Sequence, residues 1–340
     1  MVDLLPRMKA EGLDVDLCVF DGVRTPFYEE IERRGVKVIA LGSKVYSIAN
    51  VVKLARLMKG YDVVHSHNTA CQFGVAWGSM FSKVKIVTTE HNTTNRRRSR
   101  MWKMLDRWMY GRYDKIVCIS ELTMSNLLDH IGEGYRDKCA LVYNGIDLSV
   151  YGHDGGDKDY ACEEGEERDK KVVMVSAFRA QKDQKTLIKA MKQLPDDYVL
   201  KLVGGGDETL MSECKELATS LTIQDRVDFM GVRTDIPEIL QDADVVVLSS
   251  HYEGLSLSSV EGMASGRPFV ASDVEGLSDV VGGYGVLFPH GDSAALASAI
   301  KRLCEDEKYR DEVVGRCMER AKMFDIKEMA EKYMQLYYAL

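Results

Sequence analysis

The chain has 340 residues, 45% of them hydrophobic, and a formal net charge of −8. That length accommodates two domains of ordinary size, and a mean hydropathy of −0.21 with no run near the ~18 apolar residues of a membrane span excludes a helical membrane protein. The charge is uneven: residues 1–150 hold 22 Lys and Arg against 17 acids (+5), and residues 151–340 hold 23 against 36 (−13). A basic first half points to an anionic partner, or simply to two differently solvated faces. The opening MVDLLPRMKAEG has an early proline and mixed charge and does not read as a signal peptide. Eight scattered cysteines include no Cys-x-x-Cys pair, and several lie in apolar runs such as KIVCIS. They read as reduced, buried thiols of a cytoplasmic protein, not a disulfide or zinc framework.

In chain order, short apolar runs alternate with helical patterns. DLCVF (16–20), KVIAL (37–41), DVVHSH (62–67), KIVTTEH (85–91), KIVCIS (115–120) and ALVYN (140–144) are the expected strands of the first half. KVVMVS (171–176), YVLKLVG (198–204), RVDFMG (226–231), DVVVLSS (244–250), PFVAS (268–272) and GVLF (285–288) follow in the second. Runs such as VVVL are apolar on both faces, as strands of a covered parallel sheet must be. The alternation predicts a doubly wound α/β fold. Twelve strands exceed one sheet of ordinary size, so two sheets and two domains are expected. The boundary falls in residues 151–171, a Gly- and acid-rich linker without periodicity that carries eight acids. The domains are then 1–150 and 172–325, with an amphipathic helix over 326–340 that packs back on the first domain.

Ligand chemistry in parallel sheets sits in loops at the carboxyl ends of strands. The loop HYEGLS after DVVVLSS leads into a helix expected to begin at Ser258 or Ser259. A helix N-terminus offers free N–H groups and a positive dipole end, which suit phosphate. Glu253 and Glu261, eight residues apart, would span roughly 12 Å if helical, at ~1.5 Å per residue. Both are good acceptors for sugar hydroxyls, so the spacing suits hydroxyls at both ends of a diphosphate. A loop carboxylate and a solvated helix Glu are the plainer alternative. His65 and His67 alternate on one strand and are expected on opposite sides, with His67 and Asn68 at its ligand end and His65 as a core or helix-contacting residue. No His, Cys or acid cluster has metal-ligand spacing, so no essential metal is expected.

Glu253-x7-Glu261 followed by GMASGRPFVASDVEGLSDVV resembles the signature of the retaining family-4 glycosyltransferases of the GT-B fold. DVVHSHN, VTTEHN, ISE, VYNGID, AFRAQKDQKTLIKA, LVGGGD, FMGVR and GVLFPHGD match in the same order, so the resemblance spans nearly the whole chain. It implies two Rossmann-like domains facing a cleft, closing on their substrates, and a metal-independent hexosyl transfer from a UDP- or GDP-linked sugar without any cofactor. It implies that Glu253 faces the donor sugar, that Glu261 holds the ribose, and that backbone amides at Leu255, Ser256, Leu257 and Ser258 meet the sugar and diphosphate. Ser256 stands where the family has Gly. Arg179 and Lys182 supply charge for the leaving diphosphate. The family's Arg position is Ala177 here, so Lys182 matches the pattern and Arg179 is displaced. Gly204, Gly205 and Arg233 fall in donor-binding segments, and His91 matches a histidine that contacts the sugar near the reacting carbon. His67 and Asn68 fall on the acceptor side.

NRRRSRMWKMLDRWMYGR (95–112) puts Arg96, Arg97, Arg98 and Arg100 at a helix start, against the dipole. Met101, Leu105 and Trp108 form an apolar stripe, with Trp102 and Met109 beside it. Either the stripe packs on the sheet and the arginines are solvated, or the segment meets an anionic membrane surface or a lipid diphosphate acceptor. The second alternative places the protein at the inner face of a membrane, in the synthesis of polysaccharide or cell envelope. The family begins with a strand and a Gly-rich loop, whereas VDLLPRMKAEG reads as its first helix, so that strand is expected to be missing. A nucleotide-sugar 2-epimerase, or a binding protein disabled by that gap, are the competing functions.

Overall fold

A computed structural model describes residues 1–42, 47–91, 100–151 and 168–340. The first half runs α1 (Leu4–Ala10), β1 (Asp16–Val19), α2 (Pro26–Arg33), β2 (Lys37–Ala40), α3 (Ile48–Leu57), β3 (Val63–His67), α4 (Thr69–Gly78), β4 (Lys85–Glu90), α5 (Arg100–Arg112), β5 (Lys115–Cys118), α6 (Glu121–Ile131) and β6 (Cys139–Leu141). The second runs β7 (Lys170–Val175), α7 (Gln184–Met191), β8 (Tyr198–Val203), α8 (Glu208–Ser220), β9 (Val227–Gly231), α9 (Ile236–Gln241), β10 (Val245–Leu248), α10 (Leu257–Ala264), β11 (Phe269–Asp273), α11 (Leu277–Val281), β12 (Val286–Pro289), α12 (Ser293–Glu305), α13 (Glu307–Ala321) and α14 (Ile326–Tyr338). Each apolar run singled out in the sequence forms a strand. Most of the acidic stretch 151–171 lies outside the described residues.

Two compact units result: Met1–Gly145 with Ile326–Leu340, and Ile146–Asp325. In the second, six parallel strands lie in the order β12-β11-β10-β7-β8-β9. Its central strands are buried on both faces: Val172, Val173, Leu200, Val245 and Val247 are at most 1% exposed. Helices start where short polar side chains cap them: Asp207 accepts from Thr209 and Leu210 at α8, and Asp292 from Ala294 and Ala295 at α12. The chain enters this unit at Ile146 and leaves it at Asp325, and these two residues form a parallel bridge.

The first unit differs from expectation. Its strands form not one sheet but two, a four-stranded β3-β4-β5-β6 and a separate pair β1-β2, all parallel. The pair is held by its faces. Leu5, Ile31 and Val36 pack with Val15, Leu17 and Val38 on one side, while Cys18 and Phe20 join the core around Leu54, Met58 and Val75. The terminal helix α14 belongs to this unit: Ile326, Met329, Ala330 and Tyr333 are buried against Leu4, Met8, Val87 and Val117. That stripe, at i, i+3, i+4 and i+7, is the apolar face of an amphipathic helix.

Candidate functional site

In the second unit all six strands point the same way, so their carboxyl-end loops gather at one end of the sheet. The loops after β7 and β10 are joined there. The His251 amide donates to the Gln181 carbonyl at 2.7 Å, Gln181 Nε2 to the Tyr252 carbonyl at 2.7 Å, and Ser249 Oγ to the Asp183 carbonyl at 2.9 Å. Between the loops lies an ion pair: Lys182 Nζ is 2.6 Å from Glu253 Oε1. Ser250 Oγ donates to the same oxygen at 2.6 Å and Gln181 Nε2 to Oε2 at 3.3 Å. Glu253 is 7% exposed and the Lys182 side chain 15%. A buried carboxylate needs such partners, because desolvation of an unpaired one costs several kcal/mol. Gly276, in the turn after β11, shapes the same loop. Its φ is +86°, and a Cβ there would sit 2.1 Å from the Glu253 carbonyl oxygen.

The helix α10 begins at Leu257 with Ser256 as N-cap, one or two residues earlier than the sequence suggested. Glu253 therefore lies in the loop, and its separation from Glu261 is not a helical one. The Ser256 side chain makes no cap bond and the first turn carries no acid, so amides at this terminus retain donor capacity and positive potential. Ser258 of this turn lines a cavity of ≈ 230 Å³, together with Ser176 and Ala177 after β7, Gly204 and Gly205 after β8, and Val232 and Arg233 after β9. Gly204 allows the close approach of two strand ends: its φ is +143°, and a Cβ would stand 2.1 Å from the Ser176 carbonyl oxygen. Arg233 is partly exposed and held by Asp235, Nε to Oδ1 at 2.8 Å. Arg179, by contrast, is exposed on the β7 loop and joins no ion pair among the described residues.

Glu261 stands on α10 against the buried Tyr151, whose hydroxyl bonds to it. Burial raises the Glu261 carboxyl above its ordinary range, and the Tyr151 bond offsets part of that rise. Sequence reasoning missed Tyr151, Ser250 and Gln181. Ser250 and Gln181 flank Glu253 and Lys182 closely enough to have been suspected, but nothing in the spacing reaches 110 residues from Tyr151 to Glu261.

In the first unit the strand ends carry histidines. His67 Nδ1 and His91 Nε2 are 3.2 Å apart, and the His65 and His67 rings stack with centroids 4.2 Å apart. The expectation that His65 and His67 face opposite sides is wrong, because residues i and i+2 of a strand share a face. His65 bonds Tyr337 at 2.6 Å and Thr89 at 2.7 Å, and Thr89 in turn meets Tyr333 at 3.1 Å. Burial lowers the pKa of all three histidines, with mutual repulsion adding for His65 and His67; His67 falls to about 3. Asn68, at φ +77°, caps α4 through its side chain. Beneath them Glu90, a residue the sequence did not single out, is 7% exposed and accepts from Tyr110 at 2.6 Å.

Of the basic segment, Arg96, Arg97 and Arg98 lie outside the described residues, as does the Arg100 side chain. The apolar stripe does not pack on the sheet. Met101 is 73% exposed, with Trp102, Leu105 and Trp108 also exposed, and only Met109 turns to the core. Sequence spacing showed no metal-ligand cluster, yet the fold brings Asp183, His251 and His290, from three loops, to where one ligand atom of each lies within 4.8 Å of the others. Sequence spacing cannot show this, since the loops follow three different strands.

Residues 159–317 match the family described as Glycosyl transferases group 1, and residues 1–150 match Glycosyltransferase Family 4. N-acetyl-alpha-D-glucosaminyl L-malate synthase of Bacillus anthracis is 27% identical over 88% of this chain and 78% of its own length. The UDP-Gal:alpha-D-GlcNAc-diphosphoundecaprenol alpha-1,3-galactosyltransferase of Escherichia coli is 26% identical over 98% of this chain and 90% of its own. Among solved structures, Anabaena HepE in complex with UDP and glucose superposes with a TM-score of 0.83 at 21% identity, covering 100% of this chain and 96% of that one. Family matches to both halves, with a fold shared along the entire chain, agree with the paired loops, the glycine turns and the α10 terminus: the chain belongs to the family-4, group-1 glycosyltransferases and has the GT-B fold, built of two parallel-sheet α/β units.

Proposed function

We propose that this glycosyltransferase takes a hexose-type sugar from a nucleotide diphosphate sugar, UDP- or GDP-linked, to a hydroxyl of a glycan or lipid-linked acceptor, with retention at the reacting carbon and without an essential metal. The observation that carries the reading is the Lys182–Glu253 pair beside the uncapped terminus of α10. An anionic leaving group needs positive charge placed in advance. Lys182, the α10 amides and Arg179 supply it from protein groups alone. Lys182 would share its proton donors between Glu253 and the diphosphate. Glu253 would then accept from a hydroxyl of the donor sugar, and Glu261 from the ribose. In the transfer, the acceptor oxygen bonds to the sugar carbon on the face from which the phosphate oxygen departs, and the acceptor proton passes to that oxygen. His67 and His91 are held neutral by burial. Each then offers one donor and one acceptor, the inventory that hydroxyl recognition needs. We assign them to sugar or acceptor hydroxyls.

A relative named for a diphosphoundecaprenol substrate makes a membrane acceptor a natural candidate. The first unit exposes Trp77, Met80 and Phe81 beside α4 together with Met101, Met104 and Trp108 of α5, and the Trp77 and Trp108 rings are 5.9 Å apart. No described helix is long and apolar enough to cross a membrane, so we infer peripheral contact of this face with anionic lipid at the inner surface. Incubating the protein with a panel of nucleotide sugars and lipid-linked acceptors, with products read by mass, tests the reaction. Transfer in the presence of EDTA is expected. An epimerised donor, an unchanged donor, or dependence on added Mg²⁺ would each sink it. Sedimentation with neutral and anionic vesicles tests the surface: binding should rise with anionic lipid, fall with salt and weaken in W102S/W108S protein. Equal weak binding to both vesicle types would remove the membrane assignment.

A further inference from the structure

We propose that Asp183, His251 and His290 form a binding site for a single divalent transition-metal ion of the zinc class, which clips together the loops after β7, β10 and β12. His251 Nδ1 faces His290 Nε2 at 2.5 Å, and lies 3.8 Å from Asp183 Oδ2. The two rings stand nearly perpendicular, at 80°, with nitrogen aimed at nitrogen. Without an ion the two nitrogens can share only one proton. With one, ligand bonds of about 2.0–2.1 Å require the nitrogens to separate to roughly 3.3 Å, a small rotation for two exposed side chains. Three protein ligands leave a fourth position for water, and two imidazoles with one carboxylate favour zinc, cobalt or nickel over the all-oxygen preference of magnesium and calcium.

The third ligand is already oriented. Asp183 takes the left-handed conformation, φ +48°, and N-caps α7. Its Oδ2 accepts from Thr186 Oγ1 at 2.6 Å and its Oδ1 from the Thr186 amide at 3.3 Å. Outer bonds of this kind fix a ligating carboxylate in place. The His251 backbone is likewise tied to Gln181. The ion would therefore join two loops already bonded to each other with a third that His290 ties to His251 through one hydrogen bond. Lys182 is adjacent to Asp183 and Glu253 is two residues past His251, so the clip would hold both members of the buried pair in register. It supplies no charge to the reaction proposed above, and the proposal stands whether or not that reaction does.

Full-length protein titrated with Co²⁺ tests the site. One equivalent should give the visible bands of nitrogen and oxygen ligation, without the near-ultraviolet band of a thiolate ligand, and Zn²⁺ should displace it. H251Q and H290Q should each weaken binding by roughly tenfold or more, and D183N less, since Asn keeps the helix cap. H67Q/H91Q protein, altered at the other histidine pair, should bind as wild type does. Zn²⁺ should raise the melting temperature of wild type and not of H290Q. Wild type without cobalt bands, bands unchanged in H251Q and H290Q, or loss in H67Q/H91Q protein instead, would each overturn the site and leave a hydrogen-bonded histidine pair.

Discussion

The strand ends of the second unit hold formal charges in pairs, and those of the first hold neutral hydrogen-bonding rings. Lys182 with Glu253 and Arg233 with Asp235 are ion pairs around a helix terminus and a glycine-lined cavity. His65, His67, His91, Tyr333 and Tyr337 form an uncharged network against α14. A site for a phosphate-bearing ligand must keep cations ready without leaving them unbalanced when empty, and an internal carboxylate does this. A site for neutral hydroxyls has no such need, and burial, with mutual repulsion added at His65 and His67, holds its imidazoles uncharged. The second unit's net negative charge is thus no bar to an anion, because the relevant potential is local.

The contrast can be broken most severely at Lys182. Lys182→Ala leaves Glu253 buried beside only Ser250 and Gln181, and loss of one partner of a buried pair costs about 3 kcal/mol. Urea denaturation should register it, and K182M/E253L, which removes both charges, should recover much of the loss. A cost for Lys182→Ala below about 1 kcal/mol would mean that the pair behaves as a surface ion pair.

Next in size is pH. His67 has its pKa lowered to about 3, against about 6.5 in the unfolded chain. The unfolded state therefore binds the proton first. Stability is full above pH 6.5 and is lost as pH falls through the window between the two values, by about 2 kcal/mol between pH 6.5 and 5. H67Q should flatten this dependence, and the shifts at His65 and His91 act in the same direction. An identical slope in wild type and H67Q would show that His67 is not buried in its neutral form.

Smaller again, Tyr151→Phe should cost about 1 kcal/mol, the value of a buried hydrogen bond, and push the Glu261 carboxyl further up. NMR titration of that carboxyl reads the second effect directly. Its companion, Glu261→Ala, should weaken nucleoside diphosphate binding roughly tenfold or more, by calorimetry. The smallest stability effect belongs to Arg179. It is exposed and outside any ion pair among the described residues, so Arg179→Ala should change stability by no more than about 0.5 kcal/mol, while lowering diphosphate affinity less than Lys182→Ala does. A larger affinity loss at Arg179 would reverse their roles.

Much of the second unit was legible in sequence. Runs such as KVVMVS and DVVVLSS are apolar on both faces, short and rich in β-branched Val, which together mark a covered strand, so strands and their carboxyl-end loops could be placed within a residue or two. The start of α10 was misplaced, because Ser256, Ser258 and Ser259 are equally good caps and only backbone geometry selects among them. In the first unit the strands were legible but their grouping was not. That β1 pairs with β2 alone is a matter of which edges meet, and edge contacts leave no periodicity behind. The exposed stripe of α5 reads in sequence like any core stripe, since a helix looks the same whether its apolar face meets a sheet or solvent.

Local chemistry along the chain determined by itself the strands, the glycine turns and the charge carried by each loop. These depend on neighbours a few residues apart, which the sequence lists directly. Tertiary structure alone decided that Lys182 is answered by Glu253, Glu261 by Tyr151, and His251 by His290 and Asp183. In each case the partners come from loops or elements separated by tens of residues. The physical reason is that a buried charge or imidazole takes its character from whatever the fold packs around it, and that surrounding exists only once the strands have been ordered in the sheet.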